Sequence, residues 1–294
     1  MTEPVRRDIL TAVPVAFAED GALDLDGSRA ILRKVAASDV QGALVLGTTG
    51  EFPALSEDER GELTRASLEE LAGKRVVVHV GAASAYEVKR LIDRSRRLGA
   101  TEIAVLTPYY LAVSDAAVLE FFEDVVAHAE GLRVYAYVFQ ARTGVPVSAE
   151  LLARIAELRG VVGAKISGES LEQVARYRAA VPADFELWTG SDRDLALAAD
   201  FGAQGVISGI ASVFPEPFTE LTAALAAGDE DAAREAETRV HAAVDLILGD
   251  MGRMKAALQL QGIPAGTTRM PIEPPTAAVL DEIRVMTESL YASR

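Results

Sequence analysis

Eight short apolar segments rich in β-forming residues recur along the chain, and each is followed by sequence of helical character. The predicted strands are residues 10–13, 43–46, 76–80, 102–106, 134–138, 161–165, 186–189 and 205–208. Their starts lie 19 to 33 residues apart, which leaves room for a helix after each strand. This alternation predicts an α/β fold with a parallel sheet. Eight units without a glycine-rich phosphate-binding first turn favour a closed (β/α)8 TIM barrel over an open doubly wound sheet.

The pattern changes after Pro215, where helical segments follow one another with no strand between them. These segments are residues 218–227, 230–248, 253–261 and 275–290, and glycines and prolines separate them. We therefore expect a catalytic barrel at residues 1–224 and a C-terminal helical region at residues 225–294 that packs on it. Barrels of this kind use about 250 residues as one domain, so the chain length agrees with this organisation.

Charge and composition narrow the class of protein. The chain has 29 basic and 44 acidic residues, a formal net charge of −15, which argues against nucleic acid or an anionic membrane as a partner. It has no cysteine, which excludes disulfides, thiolate metal sites and cysteine nucleophiles. No run of about 18 apolar residues occurs and no apolar leader follows the N-terminus, so we expect a cytoplasmic protein.

The residue that most strongly indicates chemistry is Lys165, at the end of the sixth predicted strand. Side chains alternate along a strand, so Gly163 lies on the same face as Lys165 and is expected to leave space against its stem. A lysine held away from water is the amine that attacks ketones to form a Schiff base. The alternative is a lysine whose amine extends from the strand end into solvent.

Active sites of barrels lie at the C-terminal ends of the strands, and this rule selects further candidates. With Lys165 they are Thr48, Thr49, Tyr109, Tyr110 and Tyr137. Neighbouring strands lie about 4.8 Å apart, so Tyr137 and Lys165 can share one pocket. A phenol can carry the protons that imine formation requires. Hydroxyl and backbone N–H groups of the Gly-Thr-Thr-Gly segment at 47–50 can hold a carboxylate.

Other polar residues near strand ends have structural interpretations. Arg142 follows the fifth strand, where it either forks onto a carboxylate or lies on a surface loop. His79 is the one histidine near a strand end and is interpreted as a hydrogen-bonded core residue. Asp192 and Asp194 are typical of a helix N-terminus. A metal site needs several histidines and carboxylates to converge, so we expect no metal, and we expect no organic cofactor.

Four motifs, in this order, resemble those of the dihydrodipicolinate synthase/N-acetylneuraminate lyase family. They are Gly-Thr-Thr-Gly-Glu at 47–51, Thr-Pro-Tyr-Tyr at 107–110, Tyr137 followed five residues later by Arg-Thr-Gly at 142–144, and Gly-Ala-Lys at 163–165. The resemblance runs from about Leu10 to the C-terminus. It implies a (β/α)8 barrel with C-terminal helices, usually a homotetramer built as a dimer of dimers. It also implies a class I, Schiff-base carbon–carbon lyase that acts on pyruvate or another 2-oxo acid and an aldehyde.

The resemblance implies roles for individual residues. Lys165 matches the imine-forming lysine and Tyr137 the proton shuttle. Thr48 matches the residue that relays the proton, and Tyr110 matches the tyrosine that completes the relay from the neighbouring subunit. The implied substrate-binding residues are Thr49 for the 2-oxo-acid carboxylate, Arg142 for a carboxylate on the second substrate, Gly47 in the carboxylate-binding turn, and Gly190 and Ile207 in the pocket lining.

Departures from the family pattern leave the second substrate open. The usual Tyr-Asn-Val-Pro reads Tyr-Val-Phe-Gln at 137–140, and Phe52 stands where lysine-biosynthetic synthases usually carry a small residue. Residues 57–60 and 81–87 lack the histidines and asparagine of lysine-regulated enzymes. The leading hypothesis is a condensation like that of 4-hydroxy-tetrahydrodipicolinate synthase. The alternatives are a 2-keto-3-deoxygluconate-type aldolase, a 5-keto-4-deoxyglucarate-type dehydratase, and a non-catalytic binding homologue, which loss of Lys165 or Tyr137 would indicate.

Overall fold

The computed structural model describes residues 7–291, and eight parallel strands form a closed barrel in chain order. The strands are β1 (Asp8–Ala12), β2 (Gly42–Val45), β3 (Arg75–His79), β4 (Glu102–Leu106), β5 (Arg133–Val138), β6 (Val161–Ile166), β7 (Glu186–Thr189) and β8 (Gly205–Ser208). Each begins within two residues of its predicted start. The expectation of a TIM barrel is therefore confirmed.

The strands are nearly continuous apolar runs, as parallel strands covered on both faces require. In β4 and β5 every residue after the first is buried. The first residues, Glu102 and Arg133, are charged and are paired with each other in register. These two strands thus begin with a charged residue, and their apolar remainder is buried in the core.

Helices follow most strands, and side-chain caps determine where they start. They are α1 (Leu25–Ala37), α2 (Glu57–Glu70), α3 (Ala85–Arg97), α4 (Asp115–His128), α5 (Gln140–Thr143), α6 (Ala149–Ala156) and α7 (Leu171–Ala180). Before α2, the Ser56 hydroxyl accepts from the N–H of Glu59, and the Glu59 carboxylate accepts from the N–H of Ser56. This capping box confirms the helix start predicted from the sequence.

The connection after β7 differs from the expectation of a helix after every strand. It contains two short 3-10 segments, Asp192–Asp194 and Ala198–Phe201. The connection between Thr189 and Gly205 is the shortest of those between consecutive strands. Its residues form these two segments in place of the expected helix.

The C-terminal part of the chain contains four helices, as the sequence indicates. They are α8 (Pro215–Ala227), α9 (Glu230–Ile247), α10 (Met251–Leu260) and α11 (Ala277–Tyr291). No helix within residues 7–291 is long and apolar enough to cross a membrane.

The chain divides into two compact units. The first contains Ile9–Val76 and the chain from Ser208 onward, and the second contains Val77–Ile207 with residues 7 and 8. The boundary that we expect between residues 224 and 225 lies inside α8. The division into a barrel and a helical appendage stays a prediction.

Candidate active site

Lys165 is a buried lysine near the end of β6, in the second unit. Only 5% of its surface is exposed. Tyr137 on β5 and Trp188 on β7 are its register partners, and the Lys165 Nζ lies 4.6 Å from the centroid of the Tyr137 ring. Within residues 7–291 no carboxylate forms an ion pair with this amine. Because lysines are rarely buried without a partner, this position indicates a chemical role.

Gly163, two residues before Lys165, is packed closely by the neighbouring strands. A Cβ placed on Gly163 would lie 2.6 Å from Cε1 of Tyr135 and 2.4 Å from the carbonyl oxygen of Glu186. The glycine thus allows the Tyr135 ring to pack closely against β6. Gly163 therefore leaves room for the Tyr135 ring, and the space that we expect against the Lys165 stem stays a prediction.

Tyr137 is part of an aromatic cluster at the ends of β3 and β5. Its side chain is 1% exposed. The His79 ring meets the Tyr137 ring edge-on, with centroids 5.8 Å apart, and the Phe139 ring stacks on it at 6.2 Å. His79 is fully buried, as expected of a core residue. Aromatic pairs at these distances restrict each other's orientation, so Tyr137 is held in place beside Lys165.

Arg142 lies in the short helix α5 and is exposed. Its guanidinium carbon is 5.9 Å from the centroid of the Phe139 ring. Gly168 has a φ of +76°, and a Cβ there would lie 3.3 Å from the Phe139 ring. Phe139 therefore packs between Tyr137 and Gly168 and supports Arg142 on one side.

Gly190 and Ile207, the predicted pocket-lining residues, lie after β7 and on β8. The N–H of Gly190 donates to the carbonyl oxygen of Ile166 at 2.6 Å. A Cβ on Gly190 would lie 2.4 Å from the Ser167 Oγ, so a side chain here would displace the Ser167 hydroxyl. Ile207 is 4% exposed and belongs to the barrel core.

Tyr110, after β4, differs from Gly190 and Ile207 because it is exposed. Its side chain is 92% exposed, and its backbone has a φ of 80°. The next residue, Leu111, is 68% exposed. A left-handed backbone is uncommon for a bulky residue. Residues 7–291 therefore leave the Tyr110 phenol almost entirely uncovered.

The Gly-Thr-Thr-Gly-Glu motif forms a tight turn after β2, in the first unit. The N–H of Gly50 donates to the Gly47 carbonyl at 3.1 Å, and the N–H of Glu51 donates to the Thr48 carbonyl at 3.0 Å. Thr48 and Thr49 are half-buried. The turn that carries both threonines is therefore closed by its own backbone hydrogen bonds.

Non-glycine residues with a left-handed backbone bound this turn. Leu46 has a φ of 62° and Glu51 a φ of 54°. Conformations of this kind cost about 1–3 kcal/mol each and occur where the surrounding structure imposes them. The contacts of Glu51 identify what imposes the conformation here.

The Glu51 side chain is completely buried and bonded through both carboxylate oxygens. Its Oε1 accepts from the Nζ of Lys255 at 2.7 Å. Its Oε2 accepts from the backbone N–H groups of Arg269 and Met270, at 2.8 and 2.7 Å. Breaking a buried ion pair from one side costs about 3–5 kcal/mol.

Lys255, on α10, is 2% exposed. Besides Glu51 it donates to the carbonyl oxygen of Thr267 at 2.5 Å, and its Nζ lies 4.6 Å from the Phe17 ring centroid. Burial lowers the pKa of Lys255, and the hydrogen bond to Glu51 opposes this shift. Glu51, Thr267 and Phe17 together fix the position of the Lys255 ammonium.

Arg269 connects the same region to the start of α2. Its guanidinium donates to both carboxylate oxygens of Glu59, at 2.9 and 2.7 Å, and to the carbonyls of Gly21 and Ala54. The hydrogen bond from Arg269, with those from Ser56, lowers the pKa of Glu59 to about 2, although burial acts against the shift. The C-terminal segment is thus bonded to the loop after β2 and to the helix that follows it.

The family model described as the Dihydrodipicolinate synthetase family matches residues 6–289. The chain belongs to the dihydrodipicolinate synthetase family. Its members are carbon–carbon lyases, and the protein is an enzyme of this class.

Relatives and solved structures resemble the chain over nearly its whole length. A 4-hydroxy-tetrahydrodipicolinate synthase of Thermotoga petrophila is 31% identical over 291 residues, which cover 96% of this chain and 98% of the relative. A monomeric dihydrodipicolinate synthase variant superposes with a TM-score of 0.89 at 29% identity, covering 97% of this chain and 98% of the variant. A prophage protein of the dihydrodipicolinic acid synthase family from E. coli K12, solved in complex with pyruvate, has a TM-score of 0.88 at 26% identity, covering 97% and 98%.

Sequence reasoning identified the strand-end residues of this dihydrodipicolinate synthetase family member but missed the residues that anchor the threonine turn. The missed residues are Lys255, Arg269 and Gly209. A Cβ placed on Gly209 would lie 3.3 Å from the Thr49 Oγ1. The one available signal was a charged residue inside the apolar run Met-Lys-Ala-Ala-Leu at 254–258, all of which is buried. Nothing in the sequence near Arg269 indicates its partners.

Proposed function

We propose that the enzyme is a pyruvate-dependent, Schiff-base lyase that joins or cleaves pyruvate and an aldehyde, as in 4-hydroxy-tetrahydrodipicolinate synthase. The observation that carries the proposal is that Lys165 is buried beside the Tyr137 ring with no carboxylate partner among residues 7–291. The name of the Thermotoga relative and the pyruvate complex of the E. coli protein support the substrate class.

The chemistry follows from an amine and a phenol on adjacent strands. The Lys165 Nζ attacks the carbonyl carbon of pyruvate, and the carbinolamine loses water to give an imine. Loss of a methyl proton gives the enamine, which adds to the aldehyde carbon. Tyr137 carries the protons that these steps take up and release. Hydrolysis of the product imine returns the free lysine.

The remaining roles in this proposal rest on the family motifs. Thr49 and the Gly47 turn bind the carboxylate of the 2-oxo acid, and Thr48 relays the proton. Hydroxyl and N–H donors bind an anion without placing a second cation near the amine. Arg142 binds a carboxylate on the second substrate, and Gly190 and Ile207 line the pocket.

The test is reductive trapping of the imine. Incubation with pyruvate and borohydride should add one pyruvate-derived mass, and peptide mapping should place it on Lys165. Lys165→Arg should abolish the adduct, whereas Lys89→Arg, a lysine of α3 paired with Asp124, should keep it. An adduct on a different lysine, or none in the wild-type protein, would contradict the proposal.

The same assay examines Tyr137. Tyr137→Phe should slow trapping by about 10²-fold or more, the usual effect of a lost general acid–base group. The matched control is Tyr177→Phe, since Tyr177 is also a buried tyrosine, but its hydroxyl donates to the Val147 carbonyl. Trapping at the wild-type rate in Tyr137→Phe would show that another group moves the proton.

A further inference from the structure

We propose that Glu51 and Lys255 are positioning residues for the turn 47–51, and that their buried ion pair holds Thr48 and Thr49 in the orientation that binds the substrate carboxylate. This inference rests on the proposed function of the turn. It assigns to α10, a helix of the C-terminal region, a role in substrate binding.

The internal hydrogen bonds of the turn close it but do not account for the left-handed backbone at its two ends. Both bounding residues, Leu46 and Glu51, have a left-handed backbone although neither is glycine. The hydrogen bonds inside the turn are short-range and join Gly50, Glu51 and Phe52 to the carbonyls of Gly47 and Thr48. A strained turn of this kind relaxes unless an outside contact imposes it.

Glu51 provides that contact. Its carboxylate accepts from Lys255 and from two adjacent backbone N–H groups, at 2.7 to 2.8 Å, with no exposure to water. Aspartate is one methylene shorter and would have to move the backbone to make the same bonds. Glutamine has an NH₂ group in place of one carboxylate oxygen. This donor would face either the Lys255 ammonium or the backbone N–H groups, so the hydrogen bonds on that side would be lost.

Lys255 fixes the other end of the contact. Its ammonium is bonded to Glu51 and Thr267 and lies against Phe17, so it cannot follow a displaced carboxylate. The preceding residue, Met254, contacts the backbone of Gly209, since a Cβ there would lie 2.8 Å from the Met254 Cε. Gly209 in turn lies beside the Thr49 Oγ1. Helix α10 therefore supports the turn at Glu51 and at Thr49.

The choice of a charged pair supports a positioning role. Well-packed apolar residues are often as stabilising as a buried ion pair, so a charged pair is not needed for stability alone. Charge-assisted hydrogen bonds are directional, and they specify where the carboxylate and the backbone attached to it must lie. An apolar pair would fill the space without imposing the left-handed conformation at Glu51.

The first experiment measures how borohydride trapping depends on pyruvate concentration. Glu51→Gln and Lys255→Met should each raise the pyruvate concentration for half-maximal trapping by about tenfold or more, with a smaller change in the maximal rate. The double variant should be no worse than the more affected single variant, because both changes remove one contact. The KM for the aldehyde should stay unchanged.

Glu59→Gln is the matched control. It removes an ion pair with Arg269 in the same region but leaves the bonds of Glu51 intact. It should lower stability without changing the dependence on pyruvate. The proposal would be overturned if the pyruvate concentration for half-maximal trapping rose in all three single variants in proportion to their loss of Tm. Failure of Lys255→Met to fold would overturn it as well, since the pair would then support the whole first unit.

The second experiment needs no substrate. Amide hydrogen exchange of Gly50, Glu51 and Phe52 should be about tenfold faster or more in Lys255→Met, while β4 exchanges at the wild-type rate. Unchanged exchange in the turn would contradict the inference. If the wild-type protein forms no pyruvate adduct, the proposed function fails. If it forms one and Glu51→Gln forms it with the same concentration dependence, only the present inference fails.

Discussion

At the residue scale, the Arg142 guanidinium lies over the Phe139 ring, and this ring stacks on the ring of Tyr137, the register partner of Lys165. The fork of an arginine matches a carboxylate, and the ring beside it adds an apolar surface. This combination favours a second substrate with an anionic group.

Arg142→Ala should weaken the use of an anionic aldehyde and leave pyruvate unaffected. A charge-assisted bidentate pair contributes about 1.5–3 kcal/mol, so kcat/KM for the aldehyde should fall roughly 10- to 150-fold. Steady-state kinetics with aspartate semialdehyde, glyceraldehyde and an uncharged aldehyde would measure the loss. Arg142→Lys should recover only part of it, because lysine lacks the fork. An equal loss on all three aldehydes would mean that Arg142 supports α5 instead.

At the scale of elements, the start of α2 is bonded to the C-terminal segment through Glu59 and Arg269. The carboxylate of Glu59 caps its own helix at Ser56 and also accepts two hydrogen bonds from Arg269. One ionised group therefore serves a helix start and a long-range contact. Its protonation should loosen both.

Glu59→Gln should lower the unfolding free energy by about 2 kcal/mol at neutral pH, and the difference should depend on pH. The pKa of Glu59 is about 2 in the folded protein against an ordinary value of 4.5. Since folding lowers this pKa, the stabilisation is fully present above about pH 4.5 and is lost as the pH falls towards 2. Urea unfolding of both proteins across this range measures it.

Glu123→Gln serves as the control for this series. Glu123 is an exposed glutamate of α4, and its replacement should change the unfolding free energy by less than about 0.5 kcal/mol. A difference between wild type and Glu59→Gln that stays constant from pH 7 to pH 2 would show that the ionised carboxylate is not the source of the stabilisation.

At the scale of the whole molecule, Tyr110 is the residue on which the expected subunit assembly depends. A left-handed backbone places an almost fully exposed tyrosine beside an exposed leucine, Leu111. The family resemblance implies a homotetramer in which this tyrosine enters the neighbouring subunit's site, and we propose the same here.

Mixing Lys165→Ala with Tyr110→Phe subunits should restore part of the activity, because a hybrid dimer then contains one site with both groups. A mixture of Lys165→Ala and Lys165→Arg subunits should stay inactive. Light scattering should give a multiple of the 31.2 kDa chain mass. A fully active monomer would contradict the prediction, and the monomeric synthase variant shows that the fold can exist in that form.

The sequence alone determined the features that depend on near neighbours. The order and positions of the eight strands follow from apolar periodicity, and the start of α2 follows from the Ser56 and Glu59 spacing. The adjacency of Tyr137 and Lys165 follows from consecutive strands that pair in a parallel barrel, and the structure places the two in register. The roles of these residues and of Thr48, Thr49, Gly47, Arg142, Gly190, Ile207 and Tyr110 stay predictions.

Only the tertiary structure decided which distant residues meet. Glu51 and Lys255 are 204 positions apart, and Glu51 and Arg269 are 218 apart, so no local spacing relates them. The close packing at Gly163 depends on the Tyr135 ring of the adjacent strand, and the connection after β7 forms two 3-10 segments in place of the expected helix. Local patterns record which face of an element is buried. Which element covers that face, and whether a buried charge finds an opposite charge, depend on the tertiary packing of the chain.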